Sequence, residues 1–161
     1  MKEEIFENEY TMTKKLFKEY VYNVLYKKMI ILGCIVAILG IIMFVLIKDR
    51  QAYEMLIIAF ILGFSILVTP IIVVKQFEET SKRLNNGKIE KTRVKFLDNI
   101  VMDEGKVHLE FEYNQIKEIV KTKNFIVLKI SSQSAILVLK NGFKVENEED
   151  FLKFINKKIN N

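Results

Sequence analysis

The stretch that decides the fold is residues 29–74, which read MIILGCIVAILGIIMFVLI over 29–47 and MLIIAFILGFSILVTPIIVV over 55–74. Each run is about 20 residues long and carries no charge, which is enough helix to cross a hydrocarbon core about 30 Å thick. A helix that is apolar on every face is buried in a large core or spans a membrane, and a chain of 161 residues offers no large core. The sequence therefore predicts two membrane-spanning helices.

A polar segment, residues 48–54 (KDRQAYE), separates the two runs. It is long enough to reverse the chain between two adjacent antiparallel helices, and it leaves little room for a site. We expect a membrane hairpin with a simple turn, and a contact point for an external ligand stays an open alternative. Small residues let membrane helices approach closely. A stripe of them should lie in the helix contact, with Gly33, Ala37 and Gly40 level with Thr69, Ser65 and Gly63 in that order.

Basic residues are concentrated outside the hairpin turn, which holds only Lys48 and Arg50. Those before the first run are Lys14, Lys15, Lys18, Lys27 and Lys28, and those after the second run begin at Lys75. Lys and Arg close to span ends stay on the cytoplasmic side of a membrane. The distribution predicts that both termini are cytoplasmic and that the turn faces outward.

The two flanks of the hairpin differ in pattern. Residues 1–28 begin with a short strand near Ile5–Tyr10 and continue as an amphipathic helix from Thr13, which we expect to run straight into the first span. Residues 75–90 continue the second span as a juxtamembrane helix and linker.

Residues 91–161 change from helical spacing to alternation of apolar and polar residues. About six antiparallel strands are expected, with a hairpin connection at Gly105 and a long strand over 107–113. A last helix starts at the N-cap Asn147 and presents Phe151, Phe154 and Ile155 to the sheet. The predicted fold class is membrane α plus a small β domain, a curved sheet or partial barrel capped by the terminal helix.

Candidate chemistry is sparse. His108, Glu110 and Glu112 share one strand face, but three ligands spaced in this way spread about 13 Å along the strand and do not converge on a metal. Serines 131, 132 and 134 have no matched base, and neither a phosphate-binding nor a dinucleotide-binding glycine motif is present. We therefore expect no catalytic residues, no metal, no cofactor and no enzymatic activity.

Basic residues that follow the second apolar run are the candidate contact site. They would lie beside an anionic inner leaflet or bind a partner protein, and each contributes roughly 1 kcal/mol when it is close to such a leaflet. Acidic residues are interleaved throughout, which disfavours nucleic acid. The candidate residues are Lys75, Lys82, Arg83, Lys88, Lys91, Arg93 and Lys140.

Several short segments, in this order, resemble the YcxB-like family of bacterial membrane proteins. They are Glu9-Tyr10-Thr11, Val94-Lys95-Phe96, Tyr113 to Ile119, Lys123-Asn124-Phe125, and Ala135 to Lys140 followed by Phe143. The family typically carries Pro-Lys-Arg at the end of the last strand. Leu139-Lys140-Asn141 stands there in this chain, so only the lysine matches.

The resemblance implies a plasma-membrane location and a PH-like domain of about seven strands with a C-terminal helix, to which Ile5–Tyr10 would add an edge strand. It implies no reaction. We expect a membrane-anchored PH-like module that binds a partner protein or the inner membrane surface as a scaffold or regulator. An immunity-type protein directed against a membrane-active peptide toxin, and a small accessory subunit of a transporter, are the alternatives.

Overall fold

A computed structural model describes residues 6–46, 50–84, 90–131, 134–143 and 147–159. The chain forms two compact units, which we call the β unit (Met1–Leu16 with Ser81–Asn161) and the helical unit (Phe17–Thr80). Of the predicted turn, residues 48–54, only residues 48 and 49 lie outside the described residues; residues 50–54 are already helical, so the turn is shorter than expected.

Helix α1 (Lys14–Tyr20) leads into a π-helical segment, Val21–Leu25, and then into α2 (Lys27–Leu46). The expected straight run into the first span is wrong, because the helix axis bends by 65° between Lys14–Leu25 and Lys27–Met43. Tyr26 leaves helical geometry at φ −106° and ψ 3°, and its N–H donates to Val21 O at 2.8 Å. A π-type turn of this kind is a recognised cause of sharp helix bends.

Helix α3 (Arg50–Leu84) contains the second apolar run, and it also contains most of the predicted juxtamembrane helix. Many large apolar side chains of α2 and α3 are exposed, for example Val45 at 69% and Leu62 at 60%. The segment Leu56–Phe77 is long and apolar enough to cross a membrane, and the bent pair Lys14–Leu25 with Lys27–Met43 meets the same requirement only when taken together.

The two apolar helices meet at Gly33 of α2 and Gly63 of α3. A methyl group added at Gly33 would lie 3.1 Å from Leu67 Cδ2, and one added at Gly63 would lie 3.5 Å from Val36 Cγ1. The expected stripe does not extend along the whole helix, since a methyl group at Gly40 would meet nothing within 4 Å among the described residues. Close packing is therefore confined to the Gly33 end of the contact.

This difference between two glycines of one helix gives a matched test. Gly33→Leu should weaken the packing of α2 on α3, because the added side chain has no room beside Leu67. Gly40→Leu should leave the packing intact. The midpoint of unfolding of the full chain in detergent should fall for the first variant and stay near that of the unchanged chain for the second; equal midpoints would contradict the described helix contact.

The β unit has seven strands in its described part. They form a four-stranded antiparallel sheet in the order β1-β2-β3-β4 and a three-stranded antiparallel sheet in the order β5-β6-β7. Their bounds are β1 Phe6–Thr11, β2 Lys91–Phe96, β3 Ile100–Glu104, β4 Val107–Phe111, β5 Glu118–Lys121, β6 Phe125–Lys129 and β7 Ala135–Leu139.

Alternation predicted these strands, but it missed the break between the sheets. The strand expected over 107–113 ends at Phe111, because Tyr113–Gln115 forms a 3₁₀ turn that separates β4 from β5. The result is two sheets rather than one curved sheet or partial barrel. In the part of the β unit that the structure describes, β1 contacts the chain just after β7, through an isolated bridge of Asn8 with Phe143 and a hydrogen bond from Glu9 N to Gly142 O at 3.0 Å.

The terminal helix α4 (Glu148–Ile159) is docked as predicted. Asn147 Oδ1 accepts a hydrogen bond from Asp150 N at 2.9 Å, which confirms the N-cap. Phe151 and Ile155 are fully buried. Phe154 is half-buried and places its ring 4.8 Å from that of Phe6.

Strand β1 belongs to the β unit, which therefore extends beyond the predicted boundaries 91–161. Each residue of β1 pairs with one of β2, from Phe6 opposite Phe96 to Thr11 opposite Lys91. Asn8 is fully buried, and its side-chain amide bonds both backbone groups of Leu139. The N-terminal segment is thus part of the fold rather than an appendage to the helical unit.

Candidate functional site

One face of the four-stranded sheet collects most of the charge that the structure describes in that sheet. Because side chains alternate between the two faces, the inner positions of β1 and β2 are buried and, except for Asn8 and Thr92, apolar, while the outer positions are polar. We call this outer surface the charged face. Strand register places on it Glu7, Glu9, Thr11, Lys91, Arg93, Lys95, Val101, Asp103, His108 and Glu110.

On this face acidic residues alternate from strand to strand with an arginine and a histidine, and we call this cross-strand row the charge row. Glu9 lies opposite Arg93, Arg93 lies opposite Asp103, and Asp103 lies opposite His108. The contacts follow the register: His108 Nδ1 is 2.6 Å from Asp103 Oδ1, and Arg93 Nη2 is 3.8 Å from Glu9 Oε2. Opposite charges on directly paired residues stabilise a sheet, and each such pair contributes roughly 0.2–1 kcal/mol.

Two of the predicted contact residues, Lys91 and Arg93, lie on the charged face and have acidic partners there. Lys91 Nζ is 3.3 Å from Glu9 Oε1, and Arg93 Nε is 3.2 Å from Glu7 Oε1. Both partners come from β1, about 85 residues earlier in the chain. The sequence did not predict these pairs, because they depend on how β1 aligns with β2 and no local motif specifies that alignment.

Of the remaining predicted contact residues, Lys140 is described in the β unit and Lys75 in the helical unit. Lys140 follows β7, and its Nζ is 3.2 Å from Glu148 Oε1 in the first turn of α4. Lys75 is exposed on α3 in the helical unit. Lys82 and Arg83 continue α3, but their side chains, like the whole of Lys88, lie outside the described residues.

The charged face is therefore close to neutral. It holds four acidic residues (Glu7, Glu9, Asp103 and Glu110), three basic residues (Lys91, Arg93 and Lys95) and His108. A surface of this composition has no excess positive charge with which to attract an anionic leaflet. A mixed pattern of charge is suited instead to a protein surface with the complementary pattern.

His108 contacts Asp103 on the neighbouring strand and does not form a metal-binding cluster with Glu110 and Glu112. Its cross-strand partner is Asp103, whereas Glu110 accepts a hydrogen bond from Asn99 Nδ2 at 2.7 Å and Glu112 accepts one from Asn114 Nδ2 at 2.8 Å. Among the described residues, no three His, Cys, Asp or Glu side chains are arranged to bind a metal ion.

Tyr113 is a structural residue that the sequence did not single out. Its hydroxyl donates to Leu97 O at 2.8 Å, and its ring lies 6.0 Å from that of Phe154. Burial, and after it the nearby carboxylate of Asp98, raise the pKa of Tyr113. The neutral hydroxyl therefore persists at alkaline pH and ties the turn after β2 to α4.

Strand β4 is exposed on both faces. Val107 is 53% exposed and Leu109 is 41% exposed, although both lie on the inner face with the buried residues of β1 and β2. Within the described residues β4 pairs only with β3, which leaves its other edge open. An open edge strand with apolar side chains invites pairing with another chain.

These features define a class: a small antiparallel β domain, with a terminal helix packed on its core, in one chain with long exposed apolar helices. Residues 97–155 match the family model described as YcxB-like protein, and the family prediction is thus confirmed over the segment from the end of β2 to α4. No curated protein and no solved structure matches the chain.

Proposed function

We propose that this protein is a non-enzymatic, membrane-anchored module whose PH-like β domain binds a partner protein and acts as a scaffold or regulator. The anchor is a hairpin of two spans in a bacterial plasma membrane, with both termini and the β domain cytoplasmic. Exposed apolar side chains along α2 and α3 support the anchor, and the lysines that flank the apolar runs support the orientation.

Two features support the PH-like assignment. The β unit has four strands followed by three, both sheets antiparallel, and a C-terminal helix docked on the core. The order of elements agrees with the fold that the family resemblance implies. The assignment brings no ligand with it, because function resides in the site and not in the fold.

A protein partner is favoured over a lipid because the described candidate basic residues of the β unit already form ion pairs with acidic residues. Lys91, Arg93 and Lys140 each have an acidic partner within the β unit, at 3.2–3.3 Å for the shortest contacts. Binding an anionic headgroup would compete with these partners, whereas a protein surface can extend the same alternating row. Immunity-type and transporter-accessory roles would work through the spans, and no feature of the charged face favours either.

Photocrosslinking tests the choice between protein and lipid directly. A benzophenone amino acid at Val101, which lies between Lys95 and Glu110 on the charged face, should give protein adducts of discrete mass in cells that make the full chain. The same probe at Lys123, an exposed turn residue of the other sheet, should not. Arg93→Glu should reduce the Val101 adducts, because it removes the positive charge from the row.

The same experiment has an outcome that would contradict the proposal. Lipid adducts at Val101 that increase with anionic lipid and disappear in high salt would show that the membrane surface is the ligand. Equal protein adducts at Val101 and Lys123 would show only random encounter.

A further inference from the structure

Strand β4 combines exposed apolar side chains with an unpaired strand edge among the described residues. Within the described part of the β unit, the large apolar side chains that are exposed are Leu97, Val107 and Leu109, and two of these three lie on β4. The opposite face of the same strand carries His108 and Glu110. Strand β4 therefore has one apolar and one polar face, and the backbone groups along its outer edge have no strand partner among the described residues.

Strand geometry determines which backbone groups are open. Glu104 pairs with Val107 across the two-residue loop Gly105-Lys106, in which Gly105 has φ +57°. Residues that flank a two-residue hairpin loop exchange hydrogen bonds, and hydrogen-bonded pairs alternate with non-hydrogen-bonded pairs along an antiparallel ladder. Val107, Leu109 and Phe111 thus bond to β3, whereas His108 and Glu110 direct their N–H and C=O groups to the open edge.

We propose that β4 pairs antiparallel with β4 of a second copy of this chain, with Leu109 opposite Leu109. This register places Val107 opposite Phe111 and His108 opposite Glu110, and twofold symmetry repeats both pairs. Apolar side chains then meet apolar ones on one face, and histidine meets carboxylate on the other. His108 and Glu110, whose backbone groups point outward, form the hydrogen-bonded pairs.

The sequence of β4 selects this register over its neighbours. A shift of one pair in one direction centres the contact on Glu110 opposite Glu110, where like charges directly opposite each other destabilise a sheet. A shift in the other direction centres it on His108 opposite His108 and loses both histidine–carboxylate pairs. With Leu109 at the centre, the charge row of one copy continues into the next as Asp103, His108, then Glu110 of the second copy.

Strand β5, an edge strand of the three-stranded sheet, is not self-complementary. Twofold antiparallel pairing requires residues on the same face to meet, so β5 can be centred on Ile119 or on Val120. The first register places Glu118 opposite Val120, and the second places Ile119 opposite Lys121. Both oppose a charge to an apolar side chain, and we therefore assign the contact to β4 rather than to β5.

The contact is small, because a five-residue strand edge buries less than the roughly 1,600 Å² of a standard protein interface. Anchoring in one membrane raises the effective concentration of the two copies and compensates for the small area. This inference goes beyond the proposed function, since it holds whether or not the charged face binds a partner protein.

Cysteine crosslinking in membranes measures the register. In the full chain carrying Cys34→Ala, Leu109→Cys should form an intermolecular disulfide with copper phenanthroline. A non-hydrogen-bonded pair has Cα atoms about 4.5 Å apart, within the range of a disulfide. The matched control is Val107→Cys, on the same strand and face. Its counterpart in the second copy lies four residues away, about 13 Å along the strand, so it should not crosslink.

Two further variants separate the proposal from accidental contact. Chains with Val107→Cys and chains with Phe111→Cys, made together, should form a mixed disulfide because these positions face each other. In the Leu109→Cys chain, Glu110→Lys should lower the yield of dimer several-fold, while His108→Lys should retain it. Equal dimer from Leu109→Cys and Val107→Cys, or none from Leu109→Cys, would overturn the proposed pairing while leaving the proposed function untouched.

Discussion

Phe151→Ala should unfold the β unit or bring it close to unfolding. The Phe151 ring is fully buried, with its centre 4.8 Å from that of Phe96, 5.0 Å from that of Phe143 and 5.6 Å from that of Phe6. Removing a buried phenylalanine ring costs about 3–5 kcal/mol, which approaches the whole stability of a small domain. Amide hydrogen exchange of β6 in the full chain in detergent should accelerate by about two to three orders of magnitude.

Lys157→Ala is the matched control in the same helix, because Lys157 is exposed and should leave exchange in β6 unchanged. Unchanged exchange in the Phe151→Ala variant would show that α4 contributes little to the core. The effect should be confined to the β unit, so exchange in α3 provides an internal reference.

Asn8→Ala should be nearly as damaging, although it removes a small polar side chain. Asn8 Nδ2 donates to Leu139 O at 2.8 Å, and Asn8 Oδ1 accepts from Leu139 N at 3.0 Å. The side-chain amide of Asn8 thus makes the two hydrogen bonds to Leu139 that the backbone of a neighbouring strand would otherwise make. Truncation would leave both groups of the half-buried Leu139 without these partners, and each loss costs about 1–3 kcal/mol. We expect a total loss of about 2–6 kcal/mol, measured by the same exchange experiment.

Glu7→Ala is the control for this prediction. Glu7 is the neighbouring residue, but its side chain lies on the charged face, where its ion pair with Arg93 is worth at most about 1 kcal/mol. Gly142→Ala should reproduce the damage of Asn8→Ala from the other side, since a methyl group there would lie 2.9 Å from Asn8 Oδ1 and from Glu9 O. Equal exchange for Asn8→Ala and Glu7→Ala would contradict the described junction.

Local signals predicted much of the β unit. Alternation of apolar and polar residues located six of the strands to within two or three residues, Gly105 marked the hairpin with positive φ, and Asn147 marked the start of α4. Each of these signals depends on a few consecutive residues, and the local backbone conformation of those residues determines the element that forms. The buried face of α4 followed in the same way from helical spacing.

Long-range features were less accessible. Alternation with Phe6 and Tyr10 places Asn8 on the inner face of β1, but its partner Leu139 lies 131 residues later and no local signal identifies it. The partners of Lys91 and Arg93 depend on how β1 aligns with β2, and this alignment is not readable from either strand alone. These two basic residues therefore looked like part of a positive patch, whereas the fold pairs them with acids. The sequence did not predict the 65° bend at Tyr26, because no proline or glycine lies at this position to indicate a kink.

We propose that a membrane hairpin holds the β unit on the cytoplasmic side. Accessibility of single cysteines in intact cells tests it most directly. In the full chain with Cys34→Ala, a cysteine replacing Gln51, in the segment between the apolar runs, should react with an impermeant thiol reagent added outside. A cysteine replacing Lys106, in the exposed loop between β3 and β4, should react only after the membrane is opened. Labelling of the Lys106→Cys chain in intact cells, with protection of the Gln51→Cys chain, would contradict the account.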